Sequence, residues 1–314
     1  MLNMISYVCE DHINMLSDKG EATACPCYRL HKPKFITINS DVRKTANLFL
    51  EDAFMNEIMG NTKNMLQNNA LITYQSQVEF DFFRYSTITK RMSQLLSKEL
   101  YIYIDPAFTS NKRASGTGVS AICKYLNQFI ILGLEHFFLE SLLTSAESSI
   151  AECVSHMLLA ILEIHTFFND IYIIIEGNSN QASAVKIACL IKQNVFVQHN
   201  DKNMMFYHTI DQNNIAQPYY ILSKEKRLAV EYFIAHFNSG QIKASQELIS
   251  FTVKITHDPI DYLLEQIKNI HQISINDYIT YTAKKQSCSD DLIISVILCV
   301  YICQDNNIIQ FKPI

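Results

Sequence analysis

The sequence predicts an α/β protein built on a mixed central sheet, and three observations point that way. Of its 314 residues 48% are hydrophobic and 18% charged, the balance of a globular chain with a substantial core, not a disordered one. Between residues 100 and 133 three strand-like runs are joined by short connections, as in an antiparallel meander. Beyond them, strand-like apolar runs alternate with segments of helical periodicity.

The elements follow in order. Residues 100–104 alternate aromatic and β-branched side chains and end at Asp105-Pro106. Ser115-Gly116-Thr117-Gly118 is a turn signal, 119–125 continue as a second strand, and 128–133 give a third. Residues 148–165 suit a helix with Val154, Leu158, Ile161 and Leu162 on one side. The continuous apolar run 171–175, ending at Glu176-Gly177-Asn178, reads as a buried central strand. Residues 182–192 are helical, with Val185, Ala188, Cys189 and Lys192 as the stripe, and 195–197 read as a short strand. Asp258-Pro259 starts a helix whose apolar stripe is Ile260, Leu263, Leu264 and Ile267. Ser289-Asp290-Asp291 precedes the last apolar run, a buried helix. The order β-β-β-α-β-α-β-α, with helices on both faces, is that of ribonuclease-H-like folds.

Upstream, 34–39 read as a strand and 41–50 as a helix capped by Ser40 or Asp41. The Asn-rich stretch from Gly60 to Asn69 is the best boundary, giving an incomplete α/β piece over 1–60 and the main domain over 61–314. No apolar run reaches the roughly 18–20 residues of a membrane span, and the first 20 residues lack a signal-peptide pattern, so no membrane role is expected. Nine cysteines, an odd number, argue against a disulfide framework. Cys123, Cys153, Cys189, Cys299 and Cys303 sit in apolar surroundings as core residues. The spacing of Cys9, Cys25, Cys27 and His31 is not that of a zinc site.

The net charge of −5 excludes a protein coated in basic charge for nucleic acid, but not a local groove. Lys90-Arg91, Lys112-Arg113, Lys224/Lys226/Arg227 and Lys284-Lys285 are candidate basic edges; singly, each also fits a solvated surface pair.

Three acidic positions carry the chemistry. Asp105 and Glu176 close two strands that this topology places side by side and parallel, so their carboxyl ends meet. Asp290 and Asp291 begin a helix whose N-terminus can pack at the same edge. Carboxylates so close repel unless a cation sits among them, and hard oxygen donors select Mg²⁺ or Mn²⁺. Two such ions about 3.5–4 Å apart clamp the attacking and leaving oxygens of a phosphodiester displacement. An Asp-Pro turn and a Ser-Asp-Asp helix cap are the ordinary alternatives, and spacing does not choose between Asp290 and Asp291.

The local strings are more specific. Tyr101-Ile-Tyr-Ile-Asp105-Pro-Ala-Phe-Thr109, followed by Arg113-Ala-Ser-Gly-Thr-Gly-Val119, closely resembles the first nuclease motif of the herpesvirus terminase large subunit. Ile173-Ile-Ile-Glu176-Gly-Asn-Ser179 with Ser183-Ala-Val185 resembles its second motif, and Ser289-Asp290-Asp291-Leu292 its third. Cys25-Pro-Cys-Tyr-Arg-Leu-His-Lys-Pro33 and Thr45-Ala-Asn-Leu-Phe-Leu50 resemble the segment joining that family's ATPase domain to its nuclease.

The resemblance implies a viral DNA-packaging motor, whose nuclease cuts concatemeric double-stranded DNA to genome length in the host cell nucleus. Its partners would be viral DNA, the other terminase subunits and the capsid portal. It implies Asp105, Glu176 and Asp291 as catalytic metal ligands for two Mg²⁺ or Mn²⁺, with Asp290 second to Asp291. Lys112 and Arg113 would then be DNA contacts. There is no phosphate loop, so residues 1–60 read as the tail of an ATPase domain and the chain alone is expected not to hydrolyse ATP. The expected activity is a metal-dependent endodeoxyribonuclease; the alternative is a non-enzymatic assembly module of the motor.

Overall fold

The computed structural model describes residues 71–72, 76–77, 80, 85–86 and 97–313, apart from 109–115, 140–144, 179, 211–215, 276–277, 284–288 and 305–310. The chain divides into two units, Met1–Asn68 and Asn69–Ile314, and every described residue lies in the second. The expected elements at 34–39 and 41–50, the boundary at residues 60–61 and the Cys9, Cys25, Cys27, His31 set fall outside the described residues, as do Lys90-Arg91, Lys112, Arg113 and Lys284-Lys285.

The described elements are β1 (Tyr85–Ser86), β2 (Glu99–Asp105), β3 (Thr117–Tyr125), β4 (Gln128–Phe137), α1 (Ala146–Ile164), β5 (Asp170–Ile175), α2 (Gln181–Phe196), β6 (Asn203–Ile210), β7 (Ala216–Pro218), α3 (Ser223–Asn238), β8 (Ile242–Ile249), α4 (Pro259–Lys268), β9 (His271–Ile275), β10 (Tyr278–Thr282), α5 (Asp291–Gln304) and β11 (Phe311–Pro313). The main sheet runs β1-β8-β4-β3-β2-β5-β6-β11, with β7 on β6, and β9 and β10 form a separate hairpin. The meander β2-β3-β4 is antiparallel, while β5 joins β2, β6 joins β5 and β8 joins β4 in parallel. The carboxyl ends of β2, β4, β5 and β8 therefore share one edge.

Strand alternation builds two cores. In β2, Leu100, Ile102 and Ile104 face α1 and α2, while Tyr101 and Tyr103 face α3, α4 and α5. Each such fully buried apolar side chain contributes about 1.5–3 kcal/mol. The α5 helix is buried almost all round, which is why its sequence lacks a polar face. The predicted stripes of α1 and α4 are buried, and the Asp258 carboxylate caps α4 by accepting from the Ile260 and Asp261 N–H groups at 3.0 Å. Of the cysteines assigned to the core, Cys123, Cys299 and Cys303 are buried and Cys153 and Cys189 half-buried.

Three expectations are corrected. Residues 195–197 are not a strand: α2 runs on to Phe196, because Val195 continues the buried row of Ile187 and Ile191 at intervals of four. The stripe of α2 is displaced by about one residue, with Ala184, Ile187, Ala188 and Ile191 buried and Val185 40% exposed. The simple order also lacked β1, β6, β7, α3, β8, β9, β10 and β11; in β6, the run Asn203–Ile210 mixes polar and apolar residues without clean alternation.

Candidate functional site

The sheet register places four positions in one row on the α5 face. Asp105 pairs with Gly118, and Gly118 pairs with His136. Glu176 follows Ile175, the register neighbour of Ile104, so it stands beside Asp105 and on the same face. The row His136–Gly118–Asp105–Glu176 thus crosses β4, β3, β2 and the end of β5. The Glu176 N–H donates to the Ile104 carbonyl at 3.0 Å, and the Gly177 N–H to the Tyr219 carbonyl at 2.7 Å, which fixes the strand end.

Gly118 is the empty place in that row, and the first turn of α5 fills it. A Cβ at Gly118 would collide with the Asp291 carbonyl group. The α5 N-terminus is held by its neighbours: the Ile293 N–H donates to the buried Gln266 Oε1 of α4 at 2.9 Å, satisfying one of the donors a helix start leaves open. Asp290 turns aside, with Thr282 Oγ1 donating to its carboxylate at 3.3 Å. Asp291 is 5% exposed and enters the site between Gly116, Ser289 and His136.

The electrostatics of the carboxylates differ. Burial, and then the charges of Glu176 and Asp291, push Asp105 well above the usual carboxylate range, with Lys226 acting against them. Burial also raises Glu176, opposed by Lys226 and by the Tyr103 hydroxyl, which donates to its Oε2 at 3.0 Å. Burial pushes Asp291 up too, but the donors His136, Ser289 and Gly116 outweigh it, and its carboxyl lies below the usual range.

The structure brings Asp105, Glu176 and Asp291 together at one sheet edge, with Asp290 at its margin; Lys112 and Arg113 lie outside the described residues. Lys226, on the first turn of α3, was legible only as part of a basic edge, yet it is the cation that bears on both Asp105 and Glu176. His136 and Tyr262 carried no sequence signal.

Among the described residues no three metal-binding side chains are drawn tightly enough to enclose an ion unaided. Bare carboxylates keep apart because each charge penalises the next, which adds to burial in raising Asp105. The donor set suits a hard divalent cation, because the groups bearing on one another are carboxylates, no thiol is among them, and a cation would relieve their repulsion.

A mixed sheet with parallel β2 and β5, helices on both faces and acidic groups at the shared strand ends defines a protein of ribonuclease-H-like fold. Residues 1–313 match the model of the family described as probable DNA packing protein, C-terminus, and the chain belongs to it. It is 63% identical over its whole length to tripartite terminase subunit 3 of human herpesvirus 6B (strain Z29), and spans 47% of that relative. Identity to the subunit 3 of human cytomegalovirus (strain Merlin) is 55%, over 99% of this chain and 47% of the relative. The human cytomegalovirus terminase nuclease domain superimposes with a TM-score of 0.66 at 51% identity, over 77% of this chain and 100% of that one. The same domain soaked with Mn gives a TM-score of 0.65 at 49% identity, again over 77% of this chain and 100% of that one.

Proposed function

We propose that this chain is the nuclease part of a viral DNA-packaging terminase, cutting concatemeric double-stranded DNA by metal-dependent phosphodiester hydrolysis. The observation that carries this reading is the row on the sheet edge: Asp105 and Glu176 side by side, with Asp291 seated against Gly118.

Asp105, Glu176 and Asp291 would hold two Mg²⁺ or Mn²⁺ ions. So bound, the ions would activate a water and stabilise the departing 3′ oxygen. The chain's own groups prepare for this. Tyr103 holds one oxygen of Glu176 and so orients the other. Lys226 offsets the repulsion between Asp105 and Glu176 and can meet a phosphate oxygen of the substrate. Asp291 is kept ionised by its donors and needs no proton removed before use. The manganese-soaked nuclease domain of the cytomegalovirus relative supports a divalent ion. The relatives' designation as subunit 3 of a tripartite terminase supports assembly with further subunits. By the family resemblance, the setting is the host cell nucleus and the docking partner the capsid portal.

The test is cleavage of supercoiled plasmid by the purified chain in Mn²⁺, Mg²⁺ or EDTA, beside Asp105→Asn and Glu176→Gln. Cutting that requires metal and falls at least about 10³-fold in both variants is expected, more than a lost neutral donor costs. Wild-type rates in either variant would remove that residue from the chemistry. A chain that binds neither metal nor DNA, while capturing another terminase subunit, would mark a non-enzymatic assembly module.

A further inference from the structure

His136 lies at the far end of the row, two strands from Asp105 and buried to 8% exposure. Three contacts fix its place. Its N–H donates to Thr252 Oγ1 at 3.0 Å, and the neighbouring buried Glu135 grips the same loop by accepting from the Phe251 and Thr252 N–H groups at 2.7 Å. Its Nδ1 lies 2.8 Å from the Tyr262 hydroxyl of α4, with the two rings stacked at 5.7 Å and 27°. Its Nε2 lies 3.3 Å from Ser289 Oγ and 3.7 Å from Asp291 Oδ2.

All the contacts of the Asp291 carboxylate fall on one oxygen. Oδ2 accepts from the Gly116 N–H and the Ser289 hydroxyl and faces His136 Nε2, while Oδ1 has no hydrogen-bond partner among the described residues. With Oδ2 satisfied by the protein, Oδ1 is the oxygen left for a cation. The hydrogens can run in a single direction. Tyr262 donates to Nδ1, the Nε2–H points toward Ser289 and Asp291, and Ser289 donates to Oδ2.

We propose that His136, oriented by Tyr262, is a positioning residue that holds Asp291 as a one-oxygen metal ligand: Oδ2 is committed to the protein and Oδ1 to the ion. This rests on the reading of Asp105, Glu176 and Asp291 as the metal site. His136 touches no reacting atom. Its effect passes through the Ser289–Asp291 corner, and through a tyrosine brought in from a helix distant in sequence.

The test is Mn²⁺ binding to the purified chain by calorimetry for wild type, His136→Ala, His136→Gln and Tyr262→Phe, with melting in EDTA as the folding control. Truncation to Ala is expected to weaken binding by about 10–100-fold, as loss of a carboxylate's supporting partner does at other metal sites. Gln, whose amide reaches the place of Nε2, should recover most of the affinity, and Tyr262→Phe, which keeps the ring contact, should lose about threefold. Cleavage in His136→Ala should return toward the wild-type rate at saturating Mn²⁺, with only the half-saturating concentration moved. A purely structural His136 would lower the melting temperature and leave the affinity of the folded protein unchanged. Unchanged affinity in both His136→Ala and Tyr262→Phe overturns the proposal. Absence of Mn²⁺ binding by the wild type would instead overturn the metal-site reading beneath it.

Discussion

Asp291 accepts from the Gly116 N–H and the Ser289 hydroxyl and stands beside His136; Asp105, on which its charge bears, has no donor to its side chain among the described residues. Glu176 has Tyr103 and the charge of Lys226. One side of the site is therefore complete as a protein structure, with a carboxylate held ionised. The other side is a pair of half-buried acids whose charges the surroundings oppose. The difference teaches that this site is half built. The Asp291 corner belongs to the fold, and the Asp105–Glu176 corner reaches its charged form by gaining a cation.

The sharpest way to break that contrast is to neutralise each corner and compare metal-free stabilities. Asp291→Asn removes the charge that three groups are built to meet and places an amide N–H₂ or a weaker acceptor among donors. A loss of about 1.5–3 kcal/mol is expected, the range for hydrogen bonds to a charged group. Asp105→Asn removes a charge that burial and two neighbours penalise, and should raise the melting temperature in EDTA by about 2–4 °C. Denaturant and thermal unfolding check both signs. Destabilisation of similar size in the two variants would erase the distinction.

A second test presses on the joint between the corners. Gly118 pairs with Asp105 and leaves the space that the Asp291 backbone occupies. Gly118→Ala should cost about 1–3 kcal/mol as overpacking against helix backbone rather than a flexible side chain, and should weaken Mn²⁺ binding by pushing α5 off the row. A crystal structure of that variant with α5 unmoved would count against it.

How far the sequence foresaw this follows the range of each interaction. Asp105 and Glu176 were legible because strand alternation and a parallel crossover are local rules, and the elements that bear them obey those rules cleanly. The start of α5 was legible as Ser-Asp-Asp before an apolar run; the choice of Asp291 over Asp290 followed from resemblance, and spacing alone left it open. What separates the two in the folded chain is tertiary: Asp290 meets Thr282 of β10, and Asp291 meets Gly116 and His136. His136 and Tyr262 are brought together by sheet register and helix packing, which leave no spacing pattern to read. The missed strand β6 and the misread 195–197 are the reverse case: there the apolar pattern was present in the helix and weak in the strand.

Lys226 offers a smaller perturbation of the unfinished corner alone. It lowers both Asp105 and Glu176, whereas Asp291 is set by burial, His136, Ser289 and Gly116, so Lys226→Met should raise the first two acids further and leave the Asp291 corner as it is. Binding of Mn²⁺ requires the carboxylates without their protons. The pH at which binding sets in should move up, and affinity near pH 6 should fall by about tenfold, the equivalent of one unit of differential protonation. Calorimetry across the pH range reads this directly; an unshifted onset with weaker binding at every pH would mean that Lys226 acts on packing instead.

The smallest effect is a matter of sign. Asp105 and Glu176 are raised in the folded protein, so at pH values between the ordinary carboxylate range and their raised values the folded chain holds protons that the unfolded chain has released. Stability without metal then increases as the pH falls from neutral toward about 5, because unfolding releases protons. Asp291, lowered in the folded state, contributes the opposite slope, and only as the pH falls through the ordinary range and below. The buried Glu135 is raised as well, so the clean measurement is the difference between wild type and Asp105→Asn in EDTA, where Glu135 cancels. The wild type should recover part of its deficit on acidification, by about 1–2 °C in melting temperature, since about 1 kcal/mol moves a domain of this size by about 2–4 °C. With Mn²⁺ present the slope should reverse, since the ion holds the same acids ionised and is displaced by protons. A wild-type curve parallel to the variant in EDTA would show that Asp105 is already ionised without metal, and that both corners are complete before any ion arrives.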